Sequence, residues 1–298
     1  MTKNGVCFGG FRMNDSLIRY AKLTVWDDKG NTVFETVEGQ RVTFELRKDV
    51  KSYCNMLGIR VFGMEKDDAE PVLTHGSNVQ LEAGDGSMHG VIFRGSLIDG
   101  FFSNGDTPYM QLECLDGDAF YNSYVSLSVG KGEALSNIAA TCAERCSSPV
   151  SVGRISKAAT QIRLPRGCVL FGQTSDIMDS LAKQINGVWY VSDERVYLLT
   201  EDDMQVGSVL DIDADYDLVG VPIVDAWSIT FGHHIDSRIV IGSVVRFSQQ
   251  DVANGSFRVV SLSAVGDNYE GDWKMTVYAL RQDGNSPSMT AATTNIWR

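Results

Sequence analysis

Four aspartates alternate along Asp211-Ile212-Asp213-Ala214-Asp215-Tyr216-Asp217, a spacing that could open a calcium-binding loop. The rest of such a loop is missing. Its sixth position would be Tyr216 where the turn needs glycine, and its twelfth Pro222 where a bidentate glutamate is needed. Alternating aspartates on the wet face of an extended segment account for the same pattern. His233 and His234 are adjacent, so on a strand their rings point to opposite faces and cannot readily close on one ion. Cys142 and Cys146 stand one helical turn apart, with no second Cys or His pair at zinc-site spacing. His75 and His89 lie near loops with no nucleophile motif around them. The stretch Gly84-Asp85-Gly86-Ser87-Met88-His89-Gly90 puts an acid where a phosphate would sit and reads as a turn. Neither G-x-S-x-G nor G-x-x-x-x-G-K-[ST] occurs. No catalytic, cofactor-binding or metal-ligating residue is assigned, and no cofactor is expected, because no base, nucleophile and orienter can be assembled.

The elements that would have to position such residues change period along the chain. Leu17–Trp26, Asn31–Val37, Gln40–Phe44 and Asn55–Phe62 read as strands, as do Val79–Ala83 and Val91–Phe101, with Gly95 a candidate bulge. Tyr109–Leu115 alternates strictly, Met110, Leu112 and Cys114 on one face and Gln111, Glu113 and Leu115 on the other, before a turn at Asp116-Gly117-Asp118. Glu133–Cys146 places Leu135, Ile138, Ala139, Cys142 and Cys146 at helical spacing. Thr174–Asn186 predicts a helix with Ile177, Met178, Leu181 and Ile185 buried and Gly187 ending it. A hairpin over 188–200 follows. Strands return at Ala226–Phe231, Ser243–Ser248, Ser256–Val265 and Asp272–Leu280, and the last two are joined by Gly266–Gly271. Trp26, Trp189, Trp227 and Trp273 fall on strand patterns and predict packing roles.

Length and charge bound the function. A chain of 298 residues can hold two or three domains. Twenty-nine glycines against 6 prolines suit many tight turns between strands. A formal charge of −12 opposes any grip on nucleic acid through its phosphates. The first residues carry no apolar core behind a basic start, so no secretory signal is expected, and no apolar run is long enough to span a bilayer. The six cysteines, Cys7, Cys54, Cys114, Cys142, Cys146 and Cys168, are expected to be reduced and buried.

Several runs resemble the central baseplate hub proteins of contractile-tailed and related phages. They are VQLEAGDGSMHGVIFRGSLIDGFF, with its Ile92-Phe93-Arg94-Gly95 strand, and YMQLECLDGDAFYNSYVSLSVGKGEALSNIAATCAE, with its Gly130-Lys131-Gly132 helix start. GQTSDIMDSLAKQINGVWYVSDERVYLLTED looks like that family's helix-plus-hairpin unit. The segment from Ile235 to Leu280, with Gly271-Asp272-Trp273, looks like its second barrel. The likeness covers about residues 17–282. It is weaker over Leu46–Met56 and the insertion-like MEKDDAEPVLTHGS, and it has no counterpart for the C-terminal tail.

The resemblance implies a mainly β chain with two tail-tube-like β-barrel or sandwich domains, 1–127 and 207–283, a small α/β domain over 128–206 and a tail over 284–298. It also implies a homotrimer whose six barrels close a pseudo-hexameric ring between a hexameric tail tube and a trimeric central spike. The expected partners are therefore a tube or tube-initiator protein, the spike, other baseplate proteins and the tape measure protein. Sequence-specific nucleic acid binding is not among them. The expected place is the virion tail, with assembly in the host cytoplasm, and the expected role is non-enzymatic. The ring's sheets would line a lumen with polar or acidic residues that let DNA pass. Alternatives are a secretion-system-like spike hub, a baseplate-carried cell-wall hydrolase and a carbohydrate-binding β protein.

Overall fold

The computed structural model describes residues 18–50, 53–86, 88–148, 150–200, 203, 209–213, 217–249 and 253–282. Cys7, Ser87, Asp215, Tyr216 and the C-terminal tail, all singled out in the sequence, lie outside the described residues. The chain is mainly β. It opens with β1 (Arg19–Trp26), β2 (Thr32–Glu35), β3 (Val42–Asp49) and β4 (Asn55–Phe62). Helix α1 (Lys66–His75) then leads to β5 (Asn78–Asp85), β6 (Met88–Ser103) and β7 (Tyr109–Asp116).

Alternation decides which side each strand buries. In β3, Val42, Phe44, Leu46 and Lys48 point inward. In β4, Leu57, Ile59 and Val61 do so, and in β7 Met110, Leu112 and Cys114. Helix α1 occupies the stretch that looked like an insertion. Only Ala69 and Val72 of it are buried and Pro71 sits inside it, so its apolar stripe is too thin to read from sequence. The bulge of β6 is not at Gly95. The register against β5 slips at Ile92, between the pairs Leu81–Phe93 and Glu82–Val91. Gly95 instead serves close packing, because a Cβ there would run into the Leu115 carbonyl and lie 2.8 Å from Phe93.

The middle of the chain holds α2 (Asp118–Asn122), β8 (Tyr124–Val129), α3 (Leu135–Arg145), β9 (Ser151–Ile155), α4 (Lys157–Gln161), β10 (Cys168–Gln173), α5 (Thr174–Gln184), β11 (Gly187–Ser192) and β12 (Arg195–Thr200). The turn expected at Asp116–Asp118 is the start of α2, where Gly117 takes the left-handed conformation (φ 83°) at the N-cap. β8 and β10 pair as a two-stranded sheet, and β11, β12 and β9 form a three-stranded one. These elements share their own core around Trp189, Phe120, Tyr121, Ile138, Met178 and Leu198.

The last elements are β13 (Val209–Ile212), β14 (Ile223–Val224), β15 (Ser228–His233), β16 (Val244–Gln249), β17 (Ala253–Asp267) and β18 (Trp273–Arg281). They join the first strands in one sheet, ordered β14-β15-β18-β17-β3-β4-β7-β6-β5-β1-β2. The long strand β17 makes this possible. Its first half pairs with β16 and its second half, from Ser261, with β3. Among the described pairings β2 pairs only with β1, β13 only with β16 and β14 only with β15, so neither of the two barrels expected from the resemblance closes within one chain. An inter-strand path that crosses between sequence-distant blocks leaves no local signal, which is why the sequence does not reveal it.

Candidate functional site

One side of the sheet running from β15 through β18, β17, β3, β4 and β7 to β6 faces the main core; the other carries the alternate side chains. The strand register sorts these into rows across the sheet. One row runs Thr230, Tyr278, Ser261, Asp49. The next runs Thr276, Ser263, Arg47, Met56, Leu115, and beyond it lie Lys274, Val265, Glu45, Gly58, Glu113 and Asp99. A further row holds Asp267, Thr43, Arg60, Gln111 and Phe101. Serine, threonine and charges of both signs dominate this open face. Two hollows of about 840 and 650 Å³ indent it, the first beside Tyr53, Tyr278 and Ser261, the second beside Glu45, Gly58 and Arg60.

Several of the charges on this face are tied to it. Arg60 donates from Nε to Gln111 Oε1 at 2.8 Å, with its guanidinium 5.8 Å from the Tyr109 ring. Gln111 passes the chain on, donating from Nε2 to Glu113 at 3.0 Å. The Glu113 carboxylate lies above Gly58, where the absence of a side chain leaves it room. Lys274 pairs with Asp272 at 3.1 Å. The expectation of a polar or acidic face describes these strands only in part, because Arg47, Arg60 and Lys274 share it with the acids.

The two blocks meet at a joint beside one end of this face. Asn268 accepts the Val42 N–H at 2.7 Å, donates from Nδ2 to the Gln40 carbonyl at 2.8 Å, and gives its own N–H to the Val42 carbonyl at 3.2 Å. Asp267 pairs with Arg41 at 2.6 Å. Burial works to raise its pKa. The Arg41 guanidinium and the N–H groups of Tyr269 and Glu270 outweigh that and hold it below the ordinary carboxylate value. Trp273 donates its indole N–H to Asp85 at 2.8 Å and packs edge-on against Phe44. The sequence gives Gly266–Gly271 only as a turn, since its partners lie more than 200 residues away.

The residues first considered for chemistry do not converge. Asp211 pairs with Arg246 at 2.5 Å, and Asp217 accepts the Asp213 N–H at 2.8 Å. His233 is buried on β15 and its Nδ1 meets the His234 carbonyl at 2.6 Å. Cys142 and Cys146 are buried on one side of α3 and at its end, and burial pushes the Cys142 thiol up to about 11, away from the reactive thiolate. The five described cysteines are free thiols. His89 stacks on Tyr20, and His75 ends α1. Among the described residues no group of three or more His, Cys, Asp or Glu could hold a metal, and no helix is long and apolar enough to cross a membrane.

No family model and no curated protein matches the chain. Solved structures match over most of its length. The tail protein of Neisseria meningitidis MC58 is 12% identical with a TM-score of 0.61, over 89% of this chain and 97% of its own. The Escherichia coli c3393 protein is a component of the type VI secretion system with structural similarity to the T4 bacteriophage tail proteins gp27 and gp5. It is 9% identical with a TM-score of 0.59, over 84% of this chain and 77% of its own. The 43 kDa tail protein of prophage MuSo2 from Shewanella oneidensis is 8% identical with a TM-score of 0.57, over 88% of this chain and 98% of its own. At these identities the likeness is one of fold, and the fold is that of tail and hub proteins, in line with the resemblance read from the sequence.

Proposed function

We propose that this chain is a non-enzymatic hub subunit of a phage tail baseplate. Three copies stand in a ring, and the open faces of their sheets line the passage for DNA. The observation that carries this reading is the continuous sheet joining both β blocks. A sheet built from two blocks of one chain offers two similar arcs, so three copies present six, the symmetry needed between a six-fold tube and a three-fold spike.

Dimensions agree. Each copy brings eight strands to this face, counting β14 at its edge. Some 24 strands at about 4.8 Å spacing enclose a backbone ring roughly 37 Å across, before strand tilt widens it further. That leaves room for a duplex inside the side chains. Ring closure also covers the edges of β14 and of the second half of β6 that have no partner strand among the described residues. The lining suits passage rather than capture. Phosphate is gripped by concentrated cations, and of the three on these rows, Arg47, Arg60 and Lys274, the last two are each held by a neighbour while acids stand among them.

On this reading the neighbours are the tube or its initiator, the central spike, other baseplate proteins and the tape measure protein. The site of action is the virion tail, after assembly in the host cytoplasm. The proposed division is two tube-like domains, 1–127 and 207–283, flanking an α/β domain over 128–206. A spike hub of a secretion system is the second reading, favoured by the shared fold of the c3393 protein. It uses the same ring and differs in what passes through. Mass measurement of the purified chain, alone and with its spike, tests the ring. Three copies around a pore support it, and an assembly of any other rotational order removes it. Clearing of a peptidoglycan suspension by the purified protein would instead establish the cell-wall hydrolase.

A further inference from the structure

Two exposed apolar patches stand out, one beyond the open face and one at its β14 margin, and their surroundings carry opposite charge. The first is the outer side of the β8–β10 sheet. Its register sets Tyr124, Ser126 and Ser128 beside Gln173, Phe171 and Val169. Phe171 is 78% exposed, Tyr124 72% and Val169 69%, whereas Val125 and Leu127, pointing the other way, are buried in the second core. These six positions hold no charge. The strand ends beside them carry exposed Lys131 and Arg166, and residues 124–175 hold six Lys and Arg against two Glu in a chain of net charge −12. An uncharged, aromatic centre with a basic margin is the composition of an interface core and rim.

The second patch is the Val221–Trp227 segment around β14. Val221 is 92% exposed, and Ile223 and Trp227 are exposed as well. Residues 209–227 hold five aspartates and no Lys or Arg. β14 ends the sheet, and among the described residues its outer edge is unpaired.

Strand register relates the two patches. Ser228, Leu280, Ser261, Asp49, Asn55 and Asp116 lie along one end of the sheet. Trp227 precedes Ser228 on one flank, and Asp116 leads through α2 to β8 toward the other. Two patches of complementary character on different elements of one chain are what a head-to-tail contact between identical copies requires. We infer that the β8–β10 face of one copy docks on the Val221–Trp227 segment of the next. Phe171 and Tyr124 meet Val221 and Ile223, while Lys131 and Arg166 face Asp217 and Asp225.

This inference rests on the ring reading above and names the contact that closes it. The test is a charge swap followed by sedimentation of the full chain, with thermal unfolding to confirm that each variant is folded. Lys131→Glu with Arg166→Glu should weaken association of the three copies tenfold or more, and Phe171→Asp should weaken it further. Adding Asp217→Lys and Asp225→Lys to the first pair in the same chain reverses both charged margins together and should restore assembly. Three-copy assembly unchanged by Lys131→Glu with Arg166→Glu and by Phe171→Asp would remove this contact and leave the ring standing. Weakening without rescue by the four-fold variant would remove the pairing of these two patches. Wild-type protein that never reaches three copies would remove the ring reading, and this contact with it.

Discussion

The Asp116 carboxylate accepts the backbone N–H of Asp193 at 2.6 Å, joining the end of β7 to the β11–β12 turn 77 residues later. It also accepts the Glu194 N–H at 2.9 Å and the Asn55 amide at 3.1 Å, while the Lys48 ammonium holds Asp193 at 2.6 Å. Asp193 and Glu194 both have positive φ, the backbone of a tight hairpin turn whose N–H groups point at the acid. This buried polar cluster fastens the middle elements to the main sheet.

Burial raises the Asp116 carboxyl to about 6, more than the Lys48 charge lowers it. A carboxyl whose folded value exceeds its unfolded one adds stability that is complete below the unfolded value and lost as pH rises through the folded one. Asp116 thus contributes about 3 kcal/mol well below pH 3.8, nearly all of which has gone above pH 6 or so. In Asp116→Asn that slope should vanish. The stability difference between wild type and variant should shrink by about 2.4 kcal/mol from pH 4 to pH 7. Urea unfolding at both pH values measures it, other carboxylates cancelling in the difference. A difference independent of pH would refute the assignment.

Asn268 should report on the joint between the two β blocks. Asn268→Ala strips the acceptor from the Val42 N–H and the donor from the Gln40 carbonyl, a loss of roughly 1–3 kcal/mol in unfolding free energy. Asn268→Asp keeps the acceptor for Val42 but sets a carboxylate oxygen against the Gln40 carbonyl, two acceptors with no proton between them, so it too should be destabilised. Either variant as stable as wild type in urea unfolding would mean that this joint contributes nothing.

Gly95 and Gly30 make a controlled pair. Alanine at 95 meets the Leu115 carbonyl and the Phe93 ring, so Gly95→Ala should destabilise by more than about 2 kcal/mol through overpacking. Gly30 has φ +84° in an open turn with nothing near its missing Cβ. Gly30→Ala there costs only the left-handed backbone, about 1 kcal/mol. Thermal melts rank the two, and the reverse order would contradict the packing described.

What was legible in the sequence was what repeats locally. The alternation of Tyr109–Leu115 gave the buried face of β7, and the spacing of Ile177, Met178 and Leu181 gave α5. Helix α1 hid behind Pro71 and a two-residue buried stripe. The open face hid for a different reason. Its rows set Arg47 beside Ser263 and Glu45 beside Val265, partners more than 200 residues apart. Nothing in either strand announces the other, so the sequence could name polar strands but not the surface they build.

That surface supplies the last prediction. Glu45 and Glu113 flank Gly58 on adjacent strands, in the row that also holds Asp99. Replacing both glutamates with lysine keeps long, wet side chains on the open side of the strands but removes the Gln111–Glu113 hydrogen bond, so folding stability should fall by about 1 kcal/mol. The same change swaps two repelling charges per copy for two phosphate-binding ones. Retention of duplex DNA by the assembled protein should therefore rise and should fall steeply with added salt, as counterion release demands. In a virion the variant should assemble normally but eject its genome more slowly. DNA retention indistinguishable from wild type at low salt would place this face away from the path of the DNA.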